Sequence, residues 1–284
     1  MQEATQPTIL SEAADPIAAA AYRAEAWAGE PFLHDGEHPA QVLAPGTARR
    51  HALDDAIAEL DAGRARPSSQ WRVRYGLMLG LERVLADPEP RTAAGTALRR
   101  HQVDALAGML TELIAAAQRV EETNGNGHAA AEELEPDQDE DDDDEPLVGG
   151  EGDEEADEEG LTAEQDPGAV RRYRFRHPTA SGKTIAAAGF VEAARTLGVL
   201  ILTHRRLLVS QFDRDLKTEG YADRYTEAIE AGAEPLRTNP LTIQTYAWFA
   251  RHVDEVSRTA YQLVICDEAH TALGEKTSAA IRSP

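Results

Sequence analysis

Cysteine is almost absent from this chain: Cys266 is the only one in 284 residues. A lone thiol excludes a disulfide framework and a multi-cysteine zinc site, and it suits a reducing compartment. Long apolar runs are missing, and the N-terminal MQEATQPTIL carries no basic-then-apolar leader. No membrane span or export signal is therefore expected, which points to a soluble cytoplasmic protein. Lysine is scarce too, at three of 28 basic positions (Lys183, Lys217 and Lys276), so arginine carries nearly all the positive charge.

Acidic residues are abundant but unevenly spread. Of 51 Asp and Glu, 22 fall within 121–168, which holds no Lys or Arg; elsewhere 29 acidic residues face 28 basic ones. The formal charge of −23 thus belongs to one segment and is no argument against nucleic-acid binding by the rest. So much like charge with so few large apolar residues cannot bury enough surface to fold, so 121–168 reads as a disordered acidic insert. A solvated tether, an acidic arm that mimics nucleic acid and screens a basic groove, and a partner-binding motif are the roles open to it.

Residues 1–90 are Ala-rich and broken by Pro and Gly, with helices expected over 17–27, 48–62 and 70–86. In the last of these, Trp71, Val73, Leu77, Leu81 and Leu85 recur near helical spacing. His34 and His38 stand four apart, but Pro31 and Gly36 argue against the helix that would make them a metal pair. A second apolar face, Val103, Leu106, Leu110, Leu113 and Ile114, predicts a helix over 98–120. After Pro167, β-rich runs at 172–176, 199–203, 241–244 and 262–266 alternate with helical ones at 183–197, 205–217 and 245–258. That alternation implies an α/β fold: right-handed crossovers, a mostly parallel sheet covered on both faces, and ligands at the carboxyl ends of the strands.

Two motifs fall at such ends. HPTASGKT, from His177 to Thr184, has small residues and then Gly182, Lys183 and Thr184 opening a helix, the makings of a phosphate-binding P-loop. The loop from Thr179 through Ala180, Ser181 and Gly182 would turn its amides toward phosphate oxygens. Lys183 would place a charge on them, and the Thr184 hydroxyl would coordinate magnesium. The strict P-loop pattern fails at its first position, where His177 replaces Gly. CDEAH at 266–270 puts Asp267 after the apolar run QLVIC, where a carboxylate can hold magnesium, with Glu268 beside it to deprotonate water. Alone, that pair reads better as a helix cap; the upstream loop favours the metal. ATP and Mg2+ are the cofactors these residues imply.

In this order the motifs resemble motifs I and II of superfamily-two DEAD/DEAH-box helicases. The nearest likeness is to the branch shared by DEAH-type helicases and the Res-like helicase subunits of type I and III restriction enzymes. Three shorter matches keep the same order: LRRHQVDAL at 98–106, LTHRRLLVSQ at 202–211 and TIQTYAWF at 242–249. The resemblance implies that Gln102 reads adenine, that Arg205, Arg206 and Thr245 contact a nucleic-acid backbone, DNA rather than RNA, and that His270 couples the ATP site to the strand-binding side. The catalytic set it implies is Lys183, Asp267 and Glu268. It also implies a layout: a helical accessory region over 1–90, then an incomplete first RecA-like ATP-binding domain over 91–284, interrupted by the acidic insert.

Ala180 replaces a common Gly, adding only a methyl group. The acidic segment lengthens the link between the Gln102 helix and the phosphate loop, at a closure cost that grows slowly with length. The sequence stops fourteen residues after His270. The second RecA-like domain and its arginine finger, worth about 10³–10⁵ in rate, are thus expected to be missing. The expected function is the ATP-binding half of a DNA helicase or translocase, a very poor ATPase by itself. Two alternatives stand beside it. One is a restriction-system motor subunit, whose lysine-dependent nuclease cannot precede Lys183. The other is a nonhydrolytic nucleic-acid-binding module in which the acidic arm covers the basic groove. A nucleotide-dependent transferase, which also uses PTASGK, usually places that loop at the chain start and lacks the DEAH-like strand end.

Overall fold

The computed structural model describes residues 15–125, 173, 182–232, 239–257 and 259–269, without the side chains of 118–125. The strand expected at 172–176, apart from Tyr173, lies outside these residues, as do most of the phosphate loop and the acidic run beyond 125.

Helices come first. α1 (Pro16–Ala28) begins at Asp15, whose carboxylate accepts from the Ile17 amide at 3.0 Å, and it stops at Gly29 in the left-handed region (φ 76°). A single turn, α2 (Pro39–Val42), precedes α3 (Ala48–Asp61), which is capped by the Thr47 hydroxyl. The helix expected over 70–86 is continuous but not uniform: α4 (Ser69–Trp71), a π-helical turn over Arg72–Gly76 and α5 (Leu77–Ala86). Tyr75 and Gly76, adjacent in that turn, are both buried, Tyr75 among the helices and Gly76 against Leu197. Trp71 centres the helical core, edge-on to Trp27 at 5.3 Å, with its indole donating to the Ala52 carbonyl at 3.2 Å. α6 (Arg100–Gly125) runs five residues into the segment read as an acidic insert. Glu121 and Glu122 are good helix formers, which suits a helix that still holds at Asn124 and Gly125.

The α/β part follows: α7 (Lys183–Ala193), β1 (Val199–Thr203), α8 (Arg206–Leu216), β2 (Leu241–Thr245), α9 (Tyr246–His252) and β3 (Leu263–Cys266). The three strands are parallel in the order β2-β1-β3, with Thr203 opposite Thr245 and Leu202 opposite Cys266. β1, in the middle, is buried at all five positions, as an unbroken apolar run covered on both faces should be. Because the register is flush, the carboxyl ends of all three strands open onto one edge.

Two helices are shorter than expected. α7 ends at Ala193, not at 197, where the Arg224 guanidinium takes the carbonyls of Val191, Ala194 and Leu197 at 3.0, 3.1 and 2.7 Å. A cation there satisfies orphan carbonyls and complements the helix dipole. α9 ends at His252, not at 258, because the following backbone pairs elsewhere. Ala231 donates to the Glu255 carbonyl, and Ser257 to that of Ile229.

α5 and α6 pack on α7. At the α5 crossing a Cβ on Gly80 would stand 1.7 Å from the Ala193 carbonyl oxygen, so only glycine permits the approach. Buried Glu30 joins Arg83 at 2.8 Å and Arg195 at 3.1 Å, and Arg83 reaches the Glu192 carboxylate at 3.1 Å. These contacts fix the C-terminal end of α7 and, through a rigid helix, orient Lys183 at its other end.

Candidate nucleotide site

Gly182 takes φ 83° and ψ 47° to turn the chain into α7, a conformation open to glycine at little cost. No side chain caps that helix start among the described residues, so its first amides are available to an anion. Gln102 is almost wholly buried. Its Oε1 accepts from the Arg99 amide at 2.9 Å and its Nε2 donates to the Gly182 carbonyl at 3.0 Å. The expected adenine-reading side chain therefore braces the end of the phosphate loop against α6.

The Asp267 turn is tied at three points. Its amide donates to the Leu202 carbonyl at 2.9 Å, and its carboxylate accepts from the Thr203 hydroxyl at 3.4 Å. Its own carbonyl accepts from the Tyr246 phenol at 2.9 Å. Burial, reinforced by the neighbouring Glu268 charge, raises the Asp267 pKa above its usual value; Lys183, Thr203 and His204 pull the other way. Glu268 adopts φ 52°, which for a non-glycine residue costs on the order of 1–3 kcal/mol. In that conformation its Oε1 pairs with the Lys183 ammonium. Burial likewise raises the pKa of the Cys266 thiol. That makes it an unreactive member of the strand end.

Lys183, Thr184, Arg205, Asp267 and Glu268 line one cleft of about 360 Å³. A lysine ammonium, a threonine hydroxyl, an uncapped helix start and an aspartate fit a magnesium–triphosphate group in chemistry. Arg205, expected on a nucleic-acid path, turns out to share this cleft, whereas exposed Arg206 does not line it. Thr245 stands at the same sheet edge as the cap of α9, its hydroxyl accepting from the Trp248 amide at 3.1 Å. Thr179, Ala180, Ser181 and His270 lie outside the described residues.

Sequence reasoning missed His204, which lines the cleft with a buried Nδ1 that has no partner among the described residues, and Tyr246. His204 was findable: it follows the last residue of β1, where the strand-end rule places ligand contacts. Tyr246 left no signal, since it acts on a backbone carbonyl.

A family model described as type III restriction enzyme, res subunit, matches residues 97–283. No curated protein and no solved structure gives a significant match.

Proposed function

The chain belongs to the type III restriction enzyme res-subunit family, and we propose that it supplies one wall of the ATP cleft of a DNA helicase or translocase. The family is of the helicase type, with a RecA-like fold and an ATP-dependent nucleic-acid motor as its common ground. The observation that carries the reading is the Lys183–Glu268 ion pair at the mouth of β3, with Asp267 and Thr184 in the same cleft.

In this reading 91–284 belongs to a first RecA-like domain and 1–90 is a helical accessory region. Lys183 holds the outer phosphates and must leave Glu268 to do so. The Glu268 carboxylate then takes a proton from the attacking water. Thr184 and Asp267 hold magnesium, which when bound supplies charge neutralisation on the phosphates. Gln102, Thr179, Ala180, Ser181 and Gly182 shape the nucleotide site. Arg205, Arg206 and Thr245 follow a strand backbone, and His270 couples the two sides; its part, like that of Thr179 to Ser181, rests on sequence alone. The family description favours service in a restriction system over other motor roles.

In the complete enzyme, DNA should stimulate ATP hydrolysis and Lys183→Ala should abolish that stimulated rate. DNA-stimulated hydrolysis that survives the substitution would overturn the assignment.

A further inference from the structure

Gln102 stands where a base-reading amide is expected, yet both ends of its carboxamide are held by backbone. It is the third residue of α6. Arg99, just before that helix, starts the ladder by accepting from the Val103 amide at 3.0 Å. The Gln102 Oε1 reaches back to the Arg99 amide at 2.9 Å, the return half of a capping box. Its Nε2 donates to the Gly182 carbonyl at 3.0 Å, and the residue is only 1 % exposed. Gln102 does not line the cleft that holds Lys183, Thr184 and Asp267.

Adenine presents an N7 acceptor beside an N6 donor, whereas guanine presents two acceptors, N7 and O6. A glutamine tells the two apart only by meeting both atoms at once with its own donor and acceptor. To do that, Gln102 would have to leave both the Arg99 amide and the Gly182 carbonyl. A single buried group left unanswered costs about tenfold in affinity. Withdrawing from Gly182 would also release the residue next to Lys183. The cleft itself offers no fixed base pattern. Leu207, Leu208 and Phe212 form much of its wall away from the phosphate-binding groups. Contact with the flat face of a base tolerates every base, because each has one. Arg205 and Gln211 also line the cleft, but both are exposed, so water competes for their hydrogen bonds.

We infer that the cleft selects its substrate by the magnesium–triphosphate group and not by the base, so that it takes purine and pyrimidine nucleoside triphosphates alike. Lys183, Thr184 and Asp267 meet only what all of these share. The residue expected to confine the site to ATP instead holds the end of the phosphate loop. That task is the same whichever base follows the phosphates.

The inference rests on the reading of the cleft as a nucleotide site. The test is isothermal titration calorimetry of the whole wild-type chain, in the presence of magnesium, with ATP, GTP, CTP, UTP and inorganic tripolyphosphate. The four nucleotides should bind with dissociation constants within about fivefold of one another, less than the discrimination that one good bidentate base contact provides. A preference for any one base beyond that would overturn base indifference and leave the nucleotide site in place. A chain that binds neither the nucleotides nor tripolyphosphate would overturn the nucleotide-site reading and this inference with it.

Discussion

The Tyr246 phenol donates to the backbone carbonyl of Asp267 at 2.9 Å, tying the first residue of α9 to the turn that carries both site carboxylates. Thr245, the residue before it, stands on the edge read as strand-facing, and Asp267 stands on the side proposed to hold magnesium. Tyr246 is thus a direct mechanical link between the two. The Tyr246→Phe variant keeps the ring and its packing but leaves that carbonyl unanswered, a loss of about 1–2 kcal/mol. Nucleotide affinity should fall by about fivefold to tenfold in the presence of magnesium and change little in EDTA. An equal loss in both conditions would mean a general loosening and remove the special role of the tether.

Gly80 sets how closely the helical layer approaches α7. In Gly80→Ala the new methyl would meet the Ala193 carbonyl oxygen at 1.7 Å and its carbon at 2.8 Å, contacts that only a backbone shift relieves. Overpacking of this kind costs about 1–3 kcal/mol or more, and here it offsets the small gain in helix propensity. Urea denaturation should show a lower midpoint with an unchanged slope. A variant as stable as wild type would show that the two helices part freely.

The α/β alternation was legible because each strand is a short apolar run, and because α8 carries a strong apolar face while α7 is apolar nearly all round. β1 is buried at every position, and its limits were read to the residue. Helix ends were less legible where a distant side chain decides them. α7 stops where Arg224 takes its carbonyls, and nothing near residue 193 announces a cation from residue 224. The cleft follows the same division. Lys183, Thr184, Asp267 and Glu268 were visible as local patterns at strand ends, and they share one cleft. The polar ties that hold them, Gln102 to Gly182 and Tyr246 to Asp267, span 80 and 21 residues and end on backbone carbonyls, which carry no residue-type signature.

Glu30 makes stability pH-dependent in an unusual direction. Its burial outweighs the pull of Arg83 and Arg195 and lifts its pKa above the ordinary 4.5. A carboxyl that holds its proton more tightly when folded adds stability below about 4.5, and that contribution is lost as pH rises through the raised folded value. The stability difference between wild type and Glu30→Gln, followed by denaturation from pH 4 to 7, should therefore move against the wild type with rising pH and then level off. A difference that moves in favour of wild type over that window would show the two arginines overcoming the burial cost.

Gln102 offers the sharpest separation of two roles for one side chain. Its amide nitrogen supports the Gly182 carbonyl, and its oxygen receives the Arg99 amide. Gln102→Glu keeps the acceptor for Arg99 but sets a carboxylate oxygen against the Gly182 carbonyl, which should displace the residue that carries Lys183 into position. A brace serves every ligand that needs the phosphate loop. ATP, GTP and inorganic tripolyphosphate should therefore all lose about tenfold in affinity, the equivalent of 1–2 kcal/mol for a buried polar contact. A loss confined to ATP would assign the amide to the adenine ring instead, because only a base contact can tell these three ligands apart.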